Sequence, residues 1–186
     1  MASPTVLLEF ENRSQWRNWL EANHAGASEA VLILYKKKFE DQGLTLDEAT
    51  EEALCFGWVD SKLKSLDERR YSLRYTPRKP GGVWSMSNIQ RVEQLIAAGK
   101  MTEAGQQKID EAKANGQWEA AIRREQVDII PAELETALRQ MPGGVDAYRA
   151  LPVSRKKQII YWLETAKSEQ TKQDRIRKIV DEIQGG

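Results

Sequence analysis

The sequence has little of the side-chain chemistry that metal centres, disulfides and nucleophilic active sites require. Its 186 residues include one cysteine, Cys55, and one histidine, His24. A single cysteine excludes a disulfide within the chain, and a single histidine excludes a histidine-rich metal site. Cys55 follows several glutamates in a predicted helix, so we expect a semi-buried structural residue. His24 is expected to lie exposed at a helix end. The sequence predicts no catalytic residue, no metal and no cofactor.

Long apolar stretches are missing too. No run approaches the roughly 20 residues that a membrane-spanning helix needs, so no membrane insertion is predicted. The first residues lack the basic start and the apolar stretch of a signal peptide. Together with the single cysteine, this favours a cytoplasmic location. The glycines form no phosphate-binding motif, because the sequence around Gly99 and Lys100 departs from the P-loop pattern.

The sequence also lacks an excess of either charge. Lysine and arginine total 28, aspartate and glutamate total 28, and the formal net charge is zero. This balance excludes a uniformly basic nucleic-acid coat protein and a strongly acidic tail. The charges are nevertheless segregated, since residues 60–80 hold 7 basic and 3 acidic side chains, while residues 1–59 hold 5 and 10. Any charged partner surface is therefore local, and residues 60–80 are the first place to look for it.

What the sequence does contain is the patterning of a globular protein, with 40% hydrophobic and 30% charged residues. β-prone segments at 6–10 and 30–37 alternate with helical patterns at 14–23 and 45–56. After Gly82 the sequence predicts only helices, at about 86–98, 102–114, 117–125, 132–140, 144–150, 154–166 and 169–184. This order predicts an α+β fold, with a small antiparallel sheet and packed helices followed by an all-α region. We expect two domains, an α+β domain at 1–85 and a helical region at 86–186.

The helix at 45–56 begins with a capping box, in which Thr45 is the N-cap residue and Glu48 the third helical residue. Helical periodicity then assigns its side chains to two faces. We expect the apolar ones to point inward and the acidic ones to form a solvated face. The inward set is Leu46, Ala49, Ala53 and Leu54, and the outward set is Asp47, Glu48, Glu51 and Glu52.

Alternating polarity at 58–64 and 70–76 predicts a β-hairpin that turns at 66–68. Only a register in which paired residue numbers sum to an even value keeps the apolar faces together. The sum of 134 pairs Val59 with Tyr75 and Asp60 with Arg74. In this register one face of the hairpin carries Trp58, Asp60, Lys62, Arg70, Arg74 and Thr76.

The hairpin and the loop after it bring unlike functional groups together. Aromatic rings beside fixed cations suit an anion or a stacked base. The candidate ligand-binding residues are Trp58, Asp60, Lys62, Arg74, Thr76, Arg78 and Trp84. Three interpretations compete: core aromatics with surface ion pairs such as Asp60–Arg74, a pocket for a small anionic ligand, and a nucleic-acid-binding surface. The acidic segments that flank the hairpin weaken the third interpretation.

Several segments carry a resemblance to a known family. They read ALCFGWVD at 53–60, YSLRYTPR at 71–78, Trp84-Ser85, GKMT at 99–102 and IYWLETAK at 160–167. Together they resemble the YdeI/OmdA family, whose members are described as bacteriocin-protection, YdeI or OmpD-associated proteins. The resemblance covers nearly the whole chain and implies a cytoplasmic bacterial protein. It also implies an N-terminal part similar to YjbR/CyaY-like and DUF1801 proteins, followed by a helical OmdA-like region.

The resemblance implies a role in tolerance to bacteriocins or antimicrobial peptides, and it carries over no catalytic residue. We therefore favour a non-enzymatic binding or stress-tolerance protein whose candidate anion or small-ligand surface is the 58–78 hairpin. One alternative is an enzyme that acts on an anionic small molecule, with Asp60 as acid or base and Arg74 and Arg78 as clamps. Another is a nucleic-acid-binding module. The expected partner is a small anionic ligand or a protein, and no oligomeric state is predicted.

Overall fold

A computed structural model describes residues 6–185 of the chain. The strands are β1 (Leu7–Glu9), β2 (Ala30–Tyr35), β3 (Trp58–Ser65) and β4 (Arg70–Pro77). The α-helices are α1 (Arg13–Asn23), α2 (Leu46–Cys55), α3 (Met86–Ala97), α4 (Glu103–Ala114), α5 (Gln117–Arg123), α6 (Ala132–Arg139), α7 (Gly144–Ala150), α8 (Val153–Glu164) and α9 (Glu169–Gly185). The predicted helices are confirmed, and a 3₁₀-helix at Lys37–Gln42 was not predicted.

The chain forms two compact units that divide between Glu119 and Ala120. The first unit contains the sheet with α1 to α4, and the second contains α6 to α9. This arrangement of strands and helices confirms the predicted α+β class. The proposed division into domains at 1–85 and 86–186 stays a prediction. Within residues 6–185, no helix is long and apolar enough to cross a membrane.

The sheet of the first unit has the strand order β1-β2-β4-β3. β2 is antiparallel to β4, and β4 is antiparallel to β3. The short β1 pairs with β2 in parallel, so the sheet is mixed rather than purely antiparallel as predicted. β2 is central because its AVLILY sequence is nearly all apolar, and Ala30, Leu32 and Leu34 are buried on one face. The position of β2 confirms the strand assignment made from its composition.

Helices α1 and α2 pack against that buried face. Trp16 of α1 is fully buried, and its Nε1 donates a hydrogen bond of 3.0 Å to the carbonyl of Ala49 in α2. The Trp16 ring also lies 5.8 Å from the ring of Tyr75 in β4. The capping box of α2 is present as predicted, with Thr45 and Glu48 bonding to each other's backbone N–H groups. The first unit therefore has its core between the sheet and the α1–α2 pair.

The predicted faces of α2 are wrong at two positions. Leu46 is 44% exposed, whereas Glu52 is 1% exposed. Glu52 is buried because two arginines of α1 reach it. Arg13 Nε donates to one carboxylate oxygen, and Arg17 Nη1 donates to the other at 2.7 Å. The acidic cluster is thus only partly a solvated face, since one of its members forms a buried ion-pair network between the two helices.

The predicted hairpin is confirmed, but its register is wrong. Val59 lies opposite Thr76 and Asp60 opposite Tyr75, while beyond a bulge Leu63 lies opposite Leu73. The paired numbers sum to 135 before the irregularity between Asp60 and Leu63, and to 136 after it. A bulge adds a residue to one strand and reverses its side-chain alternation. The bulge therefore moves the first half of β3 to the opposite face from the one predicted.

The second unit is a helical cluster with its own core. Leu134 and Leu138 of α6 and Tyr148 of α7 are fully buried. They pack with apolar side chains from α8 and α9, which are Ile159, Leu163, Ile176 and Ile179. These residues include the stripes at i, i+3 and i+4 that the sequence predicts for the last two helices. The prolines at 131 and 152 are the N-cap residues of α6 and α8, where the helices begin as the sequence predicts.

Candidate functional site

The structure divides the seven candidate residues among three places. Lys62, Arg74 and Thr76 belong to the face of the sheet opposite α1 and α2, while Trp58 and Asp60 belong to the helix-covered face. Arg78 and Trp84 lie together beyond the end of β4. The bulge in β3 causes part of this division, because it puts Asp60 and Lys62 on opposite faces of the sheet. The prediction that one hairpin face carries Trp58, Asp60, Lys62, Arg74 and Thr76 is therefore wrong.

Trp58 is a core residue. It is 1% exposed, and its ring lies edge-on to that of Trp19, with the centroids 6.0 Å apart. Its Nε1 donates to the carbonyl of His24 at 3.3 Å, so the indole satisfies its one donor. A side chain in these contacts joins β3 to α1. It offers no surface on which a ligand could stack.

The open face of the sheet forms a cavity of about 580 Å³, which we call the sheet-face cavity. It is lined by Leu7, Glu29, Val31, Lys62, Lys64, Leu66, Ser72 and Arg74. Cross-strand pairing explains the grouping. Val31 lies opposite both Leu7 and Arg74, and Lys64 lies opposite Ser72, so all five side chains share one face. Lys62 is two residues from Lys64 and reaches the same side.

The sheet-face cavity carries more positive than negative charge. Its lining has three cations, Lys62, Lys64 and Arg74, and one carboxylate, Glu29. Arg74 Nε donates to Glu29 Oε2 at 2.7 Å, which replaces the predicted Asp60–Arg74 pair. In residues 6–185, Lys62 and Lys64 enter no ion pair. A positive excess over a partly apolar floor suits an anionic ligand with an apolar body.

Arg78 lies in a different environment at the end of β4. The residue is 4% exposed, and its guanidinium carbon lies 4.0 Å from the ring centroid of Trp84. Its Nη1 donates to the carbonyl of Val83 at 2.9 Å. Within residues 6–185, its Nε and Nη2 are buried and have no hydrogen-bond partner. Burial lowers the pKa of Arg78 to about 10, and the carboxylate of Asp60 acts in the opposite direction.

Two close backbone approaches place Arg78 beside α4. Its backbone N–H donates to the carbonyl of Gly57 at 2.9 Å, which extends the pairing of β4 beyond Pro77. Gly57 has φ of 72°, and a Cβ there would lie 2.7 Å from Lys108 Cγ and 2.9 Å from the carbonyl oxygen of Ala104. Only glycine fits this conformation and this spacing. The result is that Lys108 and its neighbours on α4 line the space next to Arg78.

The arrangement that the enzyme hypothesis requires is not present. Asp60 is exposed and pairs with Tyr75 on the helix-covered face, whereas Arg74 belongs to the other face. Asp60 therefore cannot act as acid or base on a ligand that Arg74 clamps. The nucleic-acid hypothesis also loses support, because Arg70 and Arg74 pair with Asp67 and Glu29. The cations of the hairpin do not form one continuous basic surface.

The residues with nucleophilic potential are structural. Cys55 is fully buried, and burial, reinforced by the charge of Glu52, raises the pKa of its thiol to about 11. Such a thiol is protonated and unreactive at neutral pH. His24 is half-buried rather than exposed as predicted, since its ring lies 5.1 Å from that of Phe56. Within residues 6–185, no group of three or more potential ligands could hold a metal ion.

A third concavity lies wholly within the second unit. This groove has a volume of about 390 Å³ and a mainly apolar lining that includes Ile129, Pro131, Ile160 and Leu163. Ile129 is 65% exposed, and Lys172 at the rim pairs with Glu133. None of the seven candidate residues contributes to the groove. The groove is a control surface for ligands that bind through apolar contact alone.

Glu29 and Lys64 line the sheet-face cavity but are not among the candidate residues predicted from the sequence. Lys64 alternates with Lys62, so the period of a strand was enough to place both on one face. Glu29 meets Arg74 only because β2 pairs with β4, and no pattern in one sequence specifies that long-range pairing. Lys108 joins Arg78 for a similar reason, through the docking of α4 on Gly57.

Comparison with known families places both clusters of candidate residues in one homologous segment. Residues 8–108, more than half of the chain, match the model of a family described as "Domain of unknown function (DUF8412)". The chain belongs to this family. Apart from Leu7, the DUF8412 segment contains the whole sheet and the lining of the sheet-face cavity, together with Arg78 and Trp84. No curated protein and no solved structure matches the chain.

The remainder of this DUF8412 protein matches a second family. Residues 129–186 match a model described as "Bacteriocin-protection, YdeI or OmpD-Associated" (OmdA). This match confirms the resemblance to the YdeI/OmdA family for residues 129–186. The resembling segments at 53–60, 71–78, 84–85 and 99–102 lie in the DUF8412 match instead. The similarity of the N-terminal part to YjbR/CyaY-like and DUF1801 proteins stays a prediction.

Several positions that carry the resemblance have structural roles in this chain. Gly99 follows α3 with φ of 65°, and Thr102 caps α4 by accepting from the N–H of Gly105. Trp162, in the segment 160–167, accepts a hydrogen bond at its carbonyl from Arg175 of α9, whose guanidinium lies over the Trp162 ring. Gly99, Thr102 and Trp162 are therefore explained by folding. Arg78, with its unpaired buried nitrogens, is a position that folding does not explain.

Proposed function

We propose that this DUF8412 protein binds a small anionic molecule with an apolar body in the sheet-face cavity, without converting it chemically. The observation that supports this proposal best is the lining of three cations and one carboxylate over an apolar floor. An excess of cations on one face creates a local positive potential that attracts a counter-charge. A ligand with a carboxylate, sulfonate or phosphate group supplies that charge.

The size of the cavity limits the ligand class. About 580 Å³ falls in the range of about 300–1,000 Å³ that is typical of small-molecule sites. Leu7 is 44% exposed and Leu66 is 37% exposed, and Val31 of β2 lines the same cavity. These side chains offer apolar contact to a ring or a short alkyl chain. A bare inorganic ion would leave this contact unused.

The cations differ in how they can hold the anionic group. Arg74 is oriented by its bond from Nε to Glu29, and within residues 6–185 neither of its Nη groups donates a hydrogen bond to the protein. A planar guanidinium in fixed orientation suits a two-point contact with a carboxylate or sulfonate. Lys62 and Lys64 stand on flexible stems and adjust to the bound group. Glu29 is thus a positioning residue for Arg74.

A fluorescence titration with 8-anilinonaphthalene-1-sulfonate tests the proposal, because this probe combines a sulfonate with an apolar ring system. We expect saturable binding that weakens about 10- to 100-fold in the Lys62→Gln/Arg74→Gln double variant, as expected for loss of charge-assisted bonds. Lys79→Gln, which removes an exposed cation outside the cavity, should leave the affinity unchanged. Ile129→Ser should likewise have no effect, since it alters the groove of the second unit.

The opposite pattern would refute the proposal. If the double variant binds the probe as tightly as the unaltered protein, the cations of the sheet do not form the site. If Ile129→Ser abolishes binding, the probe reports apolar contact in the second unit. A circular-dichroism spectrum of each variant establishes that it is folded.

We further propose that this binding serves tolerance to bacteriocins. The support is the OmdA match at 129–186, whose description names bacteriocin protection. A strain that lacks the protein should show lower survival in the presence of a bacteriocin, and the unaltered gene should restore it. If the Lys62→Gln/Arg74→Gln variant restores survival fully, the tolerance is independent of the sheet-face cavity.

A further inference from the structure

The outer side of β3 is an open edge of the sheet. β3 is the last strand in the order β1-β2-β4-β3, so within residues 6–185 it pairs with another strand on one side only. Its residues from Asp60 to Ser65 are all exposed, which means that no other element covers this half of the strand. An open edge presents backbone N–H and C=O groups that can pair with a further strand.

The hydrogen bonds of the hairpin show which backbone groups point outward. The N–H of Leu66 donates to the carbonyl of the first residue of β4 at 3.1 Å. Hydrogen-bonded pairs recur at every second residue of an antiparallel ladder, so Lys64 also directs its backbone groups toward β4. The residues in alternation with these two, Leu63 and Ser65, therefore direct their N–H and C=O groups away from β4.

The side chains along this edge belong to two faces. Lys62 and Lys64 line the sheet-face cavity, and within residues 6–185 neither enters an ion pair. Leu63 belongs to the other face, where it lies opposite the buried Leu73 and is itself 60% exposed. An added strand would place side chains beside the lysines on one face and beside Leu63 on the other. Acidic residues that alternate with apolar residues match this pattern.

A second copy of this chain does not match the edge. Antiparallel pairing of two β3 edges about Leu63 would set Lys62 of each copy opposite Lys64 of the other. Like charges directly opposite each other destabilise a pair of strands. Lysines and a bulge on an edge strand protect a protein against such association. The same two lysines favour an added strand that carries carboxylates.

We propose that the outer edge of β3 at residues 62–65 binds an extended acidic segment of another protein, which adds a strand to the four-stranded sheet. The backbone groups of Leu63 and Ser65 pair with the segment, and its carboxylates lie beside Lys62 and Lys64. In this mode main-chain hydrogen bonds provide the affinity and alternate side chains provide the specificity. The proposal does not rest on the proposed function, because it requires neither Arg74 nor the floor of the sheet-face cavity.

Fluorescence anisotropy with a labelled synthetic peptide of sequence GEVEVEG tests this proposal on the full chain. We expect saturable binding, and binding at least about 10-fold weaker when lysine replaces each glutamate of the peptide. In the proposed antiparallel register the valines lie opposite Leu63 and Ser65, so their N–H groups donate to β3. Methylation of the two valine nitrogens should abolish binding. Methylation of the glutamate nitrogens, which point away from β3, is the matched control and should preserve it.

Variants of the protein locate the peptide on the edge. Ser65→Pro removes an outward N–H group without removing a bond to β4, and should weaken binding at least about 5-fold. Lys62→Gln/Lys64→Gln should weaken it about 3- to 10-fold. Arg74→Gln, which removes a cation of the sheet-face cavity but not of the edge, should change the affinity for the peptide less than about 2-fold.

Three results would each overturn the proposal. One is equal binding of the two methylated peptides, and another is a loss in Arg74→Gln as large as that in the double lysine variant. The third is no saturable binding of GEVEVEG up to about 1 mM. If Ser65→Pro does not fold, the contrast between the methylated peptides on the unaltered protein decides. Failure of the proposed function would appear instead in the titration with 8-anilinonaphthalene-1-sulfonate.

Discussion

At the scale of single residues, the informative positions are polar groups that the fold removes from water. Glu52, Arg78 and Cys55 are all less than 5% exposed, and each has a different solution to its burial. Glu52 is ion-paired, Cys55 stays protonated, and Arg78 lacks partners for two nitrogens. Burial of a polar group is tolerated only where bonding or a change of protonation offsets it. By this rule Glu52 and Cys55 are structural positions, whereas Arg78, like Arg13 Nη2 and the Tyr148 hydroxyl, keeps buried polar atoms without a hydrogen-bond partner within residues 6–185.

Because the thiol of Cys55 is buried, we expect the protein to lose stability at alkaline pH. Burial raises the pKa of the folded thiol to about 11, so the unfolded chain releases the proton first as the pH rises. The unfolded state then binds fewer protons than the folded state, and stability falls with pH in this window. Between pH 8 and about pH 10.5, the unaltered protein should lose about 1–2 kcal/mol of unfolding free energy relative to Cys55→Ala.

Urea denaturation at the two pH values measures this difference. The comparison with Cys55→Ala cancels the contributions of buried tyrosines such as Tyr75, which both proteins share. A constant difference between the two proteins at both pH values would show that the thiol is not perturbed in the folded state.

At the scale of secondary-structure elements, local patterns predicted which elements form, and long-range packing decided their faces. The capping box at Thr45 and the periodicity of α8 and α9 are local, and these helices lie where the sequence predicts them. The faces predicted for the side chains of β3 and α2 were partly wrong. The bulge between Asp60 and Leu63 has no signature in the alternation of polar and apolar residues. It is accompanied by a hydrogen bond from Ser61 Oγ to the carbonyl of Arg74 at 3.1 Å, across the strands.

The burial of Glu52 could have been predicted from its position in the sequence. Glu52 follows Ala49 by three residues and precedes Ala53, so helical geometry places it beside the apolar stripe. Assigning it outward relied on its charge alone. The arginines at 13 and 17, one turn apart on α1, are the complementary half of the pattern, but their approach to α2 depends on tertiary packing.

The ion-pair network between α1 and α2 predicts unequal effects for two adjacent glutamates. Glu52→Gln removes the carboxylate that bonds to both Arg13 and Arg17, and should lower the unfolding free energy by about 2–4 kcal/mol. Glu51→Gln removes one partly exposed pair with Arg13, and should cost less than about 1 kcal/mol. Chemical denaturation of both variants measures the contrast. Equal losses would mean that the burial of Glu52 adds nothing to its pairing.

At the scale of the whole molecule, the zero net charge conceals two local positive sites in the DUF8412 segment. One is the sheet-face cavity, with its three cations and one carboxylate, and the other surrounds Arg78. The excess of basic side chains at residues 60–80 predicted a charged surface in this segment, and three of the cations that line the sheet-face cavity, Lys62, Lys64 and Arg74, come from it. The sequence could not show that the candidates separate into different places, because this depends on the bulge and on the docking of α4. The OmdA segment contributes a separate helical unit with its own core.

The central claim is that the open face of the sheet binds an organic anion, and a ¹H–¹⁵N correlation spectrum tests it most directly. Titration with 8-anilinonaphthalene-1-sulfonate should shift the backbone signals of Val31, Lys62 to Lys64 and Ser72 to Arg74 first and in proportion to occupancy. The signals around Ile160 in the second unit should move little. Shifts confined to the second unit, or no saturable shifts on the sheet, would contradict the account.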